Sequence, residues 1–314
     1  LKYWILENVP NSKKFIEEAY STNHLGDKLN SASGIYNAAY YGVPSRRKRF
    51  FCGNFPAPGE ITKTEEVFLY LRDVLDSLGK PTEKQNSKIN DPVYGFSVLG
   101  ADVTDHHYIQ ELAPFQWKKA KQLKQDKGYM GRMAFPENKD RPARTVMATL
   151  TFSARESMIF EYGADKYRAP TIREVASLMS FPIDYRFYGK SIGLKYKLVG
   201  NAVAPKLSNA FAKAIAKKEG ISIPEKYIPL KFSSSDEDFY NLNDVNIPIT
   251  KEKSKRDVAR FKYHIPYLIE KTYRVELTNY NSDFENKIFQ WDVEIHNVPP
   301  QVKMEFLASK IRHY

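Results

Sequence analysis

Three short segments hold the side chains best suited to chemistry. In the first, Glu7 follows the apolar run Tyr3-Trp4-Ile5-Leu6 and precedes Asn8-Val9-Pro10. A carboxyl placed there serves either as a proton donor or as a cap on the next helix. In the second, Ser45-Arg46-Arg47-Lys48-Arg49 sets four cations in a row after Gly42-Val43-Pro44. A guanidinium stays charged and presents a rigid fork of donors, so such a turn can grip an anionic group such as a phosphate. The alternative is a solvated charge run. In the third, Gly200-Asn201-Ala202-Val203 joins a residue that tolerates close backbone approach to one with paired donor and acceptor. The same residues also suit a plain turn into a helix. The single cysteine, Cys52, excludes an internal disulfide and a cysteine-rich zinc centre. It lies in a strand-like run, the setting of an inert core thiol. Six histidines show no ligand spacing, so no metal site is expected.

The elements that position these residues read as an α/β layer. Tyr3 to Val9 is a short, nearly continuous apolar run closed by a proline, the pattern of a buried strand in a parallel sheet. Asn11 or Ser12 caps a helix with Phe15, Ile16, Ala19 and Tyr20 on one face. Strands are predicted over 34–41 and 50–53, on either side of the basic turn. From about 56 to 168 the elements turn short and irregular. There Lys118, Lys119, Lys121, Lys124, Lys127 and Arg132 mingle with Trp117 and Tyr129. That mixture suits a surface gripping a nucleic-acid backbone, or a solvated helix face. Thr171-Ile172-Arg173-Glu174 is a capping box that opens a short helix, and Phe181-Pro182 ends it. Leu198 to Pro205 reads as an apolar approach and a small-residue turn. It leads into a helix with Leu207, Phe211 and Ile215 on one face and Gly220 as its cap. Past an acidic linker at 233–238, alternation from Tyr263 to His296 predicts antiparallel strands.

With 314 residues, 42% of them hydrophobic, the chain is long enough for two or three domains. Lys plus Arg number 48 against 37 Asp plus Glu, and the net charge of +11 favours a polyanionic partner. No apolar run approaches the roughly 18 residues that a membrane helix needs. No basic-then-apolar leader is visible. The chain begins at Leu1 and reads as a piece of something longer.

Four segments fall in a telling order: Glu7-Asn8-Val9; Gly42 through Arg49; Thr171-Ile172-Arg173-Glu174 with Phe181-Pro182; and Gly200-Asn201-Ala202-Val203-Ala204-Pro205. Together they resemble the C-terminal half of the DNA (cytosine-5) methyltransferases, over residues 1 to about 218. The resemblance implies part of a Rossmann-like methyltransferase domain, in two pieces at 1–55 and 169–220. Between them it implies a small irregular target-recognition domain at 56–168, and after them a β-rich C-terminal extension at 221–314. The implied activity is methyl transfer from S-adenosyl-L-methionine to C5 of a cytosine flipped out of double-stranded DNA. In the family a cysteine thiolate adds to C6, C5 takes the methyl group, and loss of the C5 proton releases the enzyme. Negative charge develops on the ring as the thiolate adds, and an acid at N3 stabilises it.

Glu7 matches that acid, and Arg47 and Arg49 match the arginines of the family pattern Gln-x-Arg-x-Arg, one of which reaches the cytosine O2. Ser45 stands where glutamine is usual, so any bond made by that glutamine is not carried over. Gly200, Asn201 and Val203 match the motif that closes the methyl-donor pocket. Lys118, Lys119, Lys121, Tyr129, Arg132, Arg141 and Arg144 are the candidates for contact with phosphates and bases. A bacterial modification enzyme of this kind is expected in the cytoplasm, on the host chromosome.

The sequence departs from the family pattern at two motifs. Neither the Phe-x-Gly-x-Gly strand of the methyl-donor site nor the Pro-Cys loop of the nucleophile occurs in these 314 residues. Cys52 has no proline before it and is no substitute. The expectation is a C-terminal part or subunit that supplies recognition and transition-state stabilisation, with an incomplete cofactor pocket. Alone it is expected to bind the methyl donor weakly and to transfer no methyl group. An N-terminal half or subunit with the nucleophile is the expected partner, docking on an exposed apolar strand edge. The alternative from another class is a non-catalytic DNA-binding specificity module. A tRNA-acting relative is a third reading.

Overall fold

The computed structural model describes residues 2–22, 32–61, 68–84, 86–126, 131–230, 238–252, 262–264, 273–283 and 285–297. The chain divides into two compact units, Leu1–Lys251 and Glu252–Tyr314.

The first unit opens with β1 (Trp4–Asn8), α1 (Lys13–Thr22), β2 (Ala32–Asn37) and β3 (Lys48–Asn54). The strand order is β1-β3-β2, and β3 pairs antiparallel with both neighbours. Strands β1 and β2 therefore run the same way, linked through α1, with β3 inserted between them. The α/β layer expected from the sequence is present. The expected parallel ladder for the opening run is not, because an apolar run encodes extended backbone but not its neighbour's direction. Nor is that run buried: Ile5 is 41% and Leu6 39% exposed. At the edge of the sheet, β1 pairs with β3 alone among the described strands. Helix α1 is open in the same way, with Phe15 62% exposed. The Tyr20 side chain lies outside what is described.

Burial is concentrated on β3, whose Phe50, Phe51 and Cys52 are almost inaccessible. Before it, a 3-10 turn over Ala38–Tyr41 ends at Gly42, whose φ of 79° is left-handed. A side chain there would be strained, which is why glycine begins the Gly-Val-Pro bend.

Next come α2 (Leu71–Leu78), the hairpin β4 (Lys88–Asn90) and β5 (Ser97–Leu99), then α3 (Pro114–Gln125) and the hairpin β6 (Phe160–Gly163) and β7 (Lys166–Arg168). Helix α4 (Ile172–Leu178) begins at the expected capping box. Thr171 Oγ1 accepts from the Glu174 amide at 3.2 Å, and Glu174 Oε2 accepts from the Thr171 amide at 2.8 Å. The same carboxylate receives a two-pronged bond from Arg168 at 2.7 and 2.6 Å. Helix α5 (Ile192–Asn201) takes in Leu198–Asn201, so Gly200 and Asn201 form a helix end rather than the expected turn. Helix α6 (Pro205–Glu219) has proline in its first turn and Gly220 at φ 67° as its cap, as expected. Its apolar face docks on the sheet, with Phe211 4.7 Å from Phe51 between ring centres.

The core continues past residue 220. Leu242 is buried, and Asn241 and Asn243 bond the backbone of the 103–107 loop. Asp105 Oδ1 accepts from the Leu242 amide at 3.0 Å and from Lys195 Nζ of α5 at 2.7 Å, with both charged side chains fully buried. The division between units accordingly falls after Lys251, not at the expected 220/221 boundary. In the second unit β8 (Lys262–His264), β9 (Tyr273–Thr278) and β10 (Asp292–Asn297) form an antiparallel sheet in the order β10-β9-β8. Among the described residues no helix is long and apolar enough to cross a membrane.

Candidate active site

Strand register places the acid and the arginine together. Glu7 of β1 stands opposite Phe51 of β3, and Arg49, two residues from Phe51, shares its face of the sheet. Long side chains on such a diagonal reach one another. Arg49 Nε lies 3.0 Å from Glu7 Oε1, with the two side chains 15% and 30% exposed. Burial lowers the Arg49 pKa, and the Glu7 charge opposes that shift. The pair opens onto a cleft of about 370 Å³, whose walls include Asn8, Val9, Arg47, Val146 to Ala148, Gly200 and Asn201.

Arg47 does different work from Arg49. It is only 2% exposed, and its guanidinium donates to the carbonyls of Val146 at 2.8 Å, Gly200 at 2.7 Å and Ala202 at 3.2 Å. Burial first, and the neighbouring Arg49 charge second, pull its pKa down to about 10. The sequence pairs these two arginines; the structure separates them into one that meets the acid and one that ties the cleft walls together.

Gly200 explains itself by contact. A Cβ at this position would stand 2.1 Å from the Met147 carbonyl oxygen, so only glycine lets α5 meet the 146–148 segment. Asn201 is exposed at the cleft. Val203 is not among the cleft's lining residues and packs instead against the main core. Sequence reasoning missed Val146, Met147 and Ala148. They contribute through main-chain atoms, the Val146 carbonyl to Arg47 and the Met147 carbonyl and Ala148 Cα against Gly200, which leave no signature in residue type. Cys52 is fully buried in the middle of β3 and does not line the cleft.

The candidates for nucleic-acid contact fare unequally. On α3, Lys118 and Lys119 are exposed, and Lys118 Nζ lies 5.6 Å from the Trp117 ring centre. Lys121 is half-buried, with Nζ 5.9 Å from the Phe135 ring centre. Arg132 and Arg141 are exposed. Arg144 is turned inward, its Nε donating to Glu137 Oε2 at 2.8 Å. Lys124, grouped with the surface lysines in the sequence, is fully buried and donates to the Ser157 carbonyl at 2.6 Å. It faces inward because it shares α3's inner face with the buried Ala120. Tyr129 and Lys127 lie outside the described residues.

One grouping eludes sequence spacing. Cross-strand register sets Glu276 opposite Glu294, and these two with His296 bring three ligand-type atoms within 4.8 Å of one another. Arg274, 3.2 Å from Glu276, supplies positive charge to that cluster.

The model of the C-5 cytosine-specific DNA methylase family matches residues 2–217. Type II methyltransferase M1.HphI of Haemophilus parahaemolyticus is 29% identical over 230 residues, covering 69% of this chain and 57% of that protein. Type II methyltransferase M.MthTI of Methanothermobacter thermautotrophicus is 26% identical over 235 residues, covering 70% and 67%. The chain thus spans little more than half the length of the first relative. Among solved structures, the Dnmt2 methyltransferase of S. pombe superposes with a TM-score of 0.40 at 16% identity, over 70% of this chain and 68% of that one. The family match covers most of the chain, and it includes Glu7, Arg47, Arg49 and Gly200–Asn201: this chain belongs to the C-5 cytosine-specific DNA methylase family.

Proposed function

We propose that the chain is the base-holding and target-recognising part of a DNA cytosine-5 methyltransferase. The observation that carries this reading is the Glu7–Arg49 pair, 3.0 Å apart in a cleft it shares with Asn201. A flipped cytosine entering there presents N3 to the Glu7 carboxyl and O2 to the Arg49 guanidinium. Charge that develops on the ring as a thiolate adds to C6 is met by a prearranged acid and a prearranged cation. Arg47 is a positioning residue: it holds the 146–148 segment against the end of α5. S-adenosyl-L-methionine, when bound, supplies the methyl group. Gly200, which admits the close main-chain contact, and the exposed amide of Asn201 fit one wall of its site.

The nucleophile and the remaining cofactor wall belong to a further segment or subunit, which meets the open edge of β1. Lys118, Lys119, Arg132 and Arg141 are the contacts proposed for double-stranded DNA, with Lys121 and Tyr129 beside them; Arg144 serves the fold through Glu137. The working division is a methyltransferase body at 1–55 and 169–220 and a recognition region at 56–168. Residues 221–251 join the body, and a β-rich unit follows. A bacterial enzyme of this kind acts on the chromosome in the cytoplasm.

The test supplies a methylase segment bearing the Phe-x-Gly-x-Gly and Pro-Cys motifs, in trans or fused ahead of Leu1, and follows methyl incorporation into duplex DNA. The combination is expected to methylate cytosine, and the chain alone is not. DNA binding without methylation by any combination would favour a non-catalytic specificity module. Turnover by the chain alone would contradict the assignment of the nucleophile elsewhere.

A further inference from the structure

Helix α6 has a second face that the proposed function does not use. Flanking its buried Leu207 and Phe211 stand Lys206, Lys213 and Lys217, beside Asn209, Ala210 and Ala214, with Lys218 at the C-terminal end. This face and the Pro56–Ile61 stretch after β3 enclose a groove of about 670 Å³. A second cleft, of about 410 Å³, shares Lys206, Asn209 and Lys213 and runs on to Tyr227 and Ile228, with Glu225 and Lys226 at its margin.

Two features distinguish the groove from an ordinary solvated surface. Two of its lysines have no acid close by: among the described residues neither Lys213 nor Lys217 holds an ion pair, whereas the Asp91 charge acts on Lys206 and Lys218 acts on Glu219, which also bonds Lys2 and Tyr3. Lys206 is half-buried, its Nζ 4.3 Å from the Tyr94 ring centre. Burial and then the Lys213 charge disfavour its charged form. The floor, in contrast, is apolar, and Ile61 on it is 72% exposed. The two exposed, unpaired cations Lys213 and Lys217 beside an exposed apolar floor match a ligand that is anionic and apolar at once.

We propose that this groove docks an acidic, leucine-type peptide segment of a protein partner. Along α6, Lys213 and Lys217 are one turn apart, about 6 Å, and Lys206 and Lys213 about 10 Å. An extended chain advances about 6.6 Å every two residues, and residues two apart share a face, so alternate carboxylates meet Lys213 and Lys217 in step. Its intervening apolar side chains point the other way, toward the Pro56–Ile61 wall that carries the exposed Ile61. A duplex has the charge but keeps its bases stacked inside, with nothing to cover that floor, and among its described residues the groove has no aromatic side chain on which the bases of a single strand would stack, which is why a peptide is favoured.

The test uses a fluorescent peptide of alternating Asp and Leu and the whole chain, read by anisotropy. Saturable binding is expected, weakened at least about tenfold in Lys213→Glu/Lys217→Glu. A peptide with Ser in place of Leu is expected to bind equally poorly. Both lysines are exposed and remote from the Glu7–Arg49 cleft, so the variant keeps its melting temperature and its duplex-DNA binding. No binding of the peptide, or equal binding by the variant, overturns the proposal. So does a Ser-for-Leu peptide that binds unchanged and is displaced by single-stranded DNA, which assigns the groove to nucleic acid.

Discussion

The Glu7 carboxylate and the Arg49 guanidinium meet at 3.0 Å although they lie on different strands, because the β1–β3 register sets them on one diagonal of one face. Each holds the other in place at the mouth of the cleft, so the acid and the cation are oriented before a base arrives. Prearrangement of this kind lets charge stabilisation act without reorganisation at the moment of reaction.

Arg47 is expected to matter for stability as much as for activity. Arg47→Lys replaces a three-carbonyl clamp with a single ammonium and leaves buried carbonyls without donors. The expected loss is about 2–4 kcal/mol of unfolding free energy by urea titration. Faster amide exchange near 146–148 and 200–202 is expected with it. A variant as stable as the parent, with unchanged exchange, would show that the clamp holds nothing.

Gly200→Ala tests the close contact at the end of α5. Alanine in a helix gains up to about 1 kcal/mol over glycine. Here, though, its Cβ meets main chain at 2.1 Å, which cannot swing away. Overpacking of about 1–3 kcal/mol is expected to win. A lower melting temperature and weaker binding of S-adenosylhomocysteine to the completed enzyme are the readouts.

The buried pair of Lys195 and Asp105 gives a third prediction. Lys195→Met leaves the Asp105 carboxylate buried without its cation, at an expected cost of about 3–5 kcal/mol. Adding Asp105→Asn removes the charge and suits the left-handed φ of 59° at that position. The double variant is therefore expected to recover much of the loss, as read by thermal melting. Ending the chain at Gly220 is expected to destabilise it too, since Leu242, Asn241 and Asn243 leave with the tail.

Acid should weaken the fold through His106. Its ring is fully buried; Nε2 donates to the Gly79 carbonyl at 3.2 Å, and Nδ1 faces the Thr171 hydroxyl at 3.2 Å. Burial holds its pKa down to about 4, below the ordinary 6.5. The unfolded chain therefore takes up the proton first as pH falls. Stability is full above pH 6.5 and is lost progressively toward pH 4, by at most about 3 kcal/mol. His106→Gln is expected to flatten that slope, and an unchanged slope between these limits would remove the histidine from the account.

What was legible in the sequence follows residue type. Glu7, Arg49, Gly200 and Asn201, which the structure gathers at one cleft, could be picked out by the chemistry of their side chains or, for glycine, the lack of one. The Thr171–Glu174 box and the Gly220 cap were equally plain, since local bonds make them. The antiparallel neighbour of β1 was not legible, because hydrophobicity carries no direction. The inward turn of Lys124 and Arg144 depends on Glu137 and on a carbonyl distant in sequence, so their composition reads as surface. Asn241 and Asn243 look like loop residues, yet they lock the 103–107 loop through main-chain bonds that no spacing announces.

The central claim is that Glu7 and Arg49 act on one ring as a unit, and a double-mutant cycle on the completed enzyme tests it most directly. Glu7→Gln and Arg49→Met are each expected to slow single-turnover methylation by about 10²–10³. Both side chains are partly exposed, so their pairing contributes at most about 1 kcal/mol to stability and the variants remain folded. The double variant is expected to be little slower than the worse single one, giving a coupling energy of about 2–3 kcal/mol. Losses that simply multiply would mean that the two residues act on separate events, and the shared-ring account would be wrong.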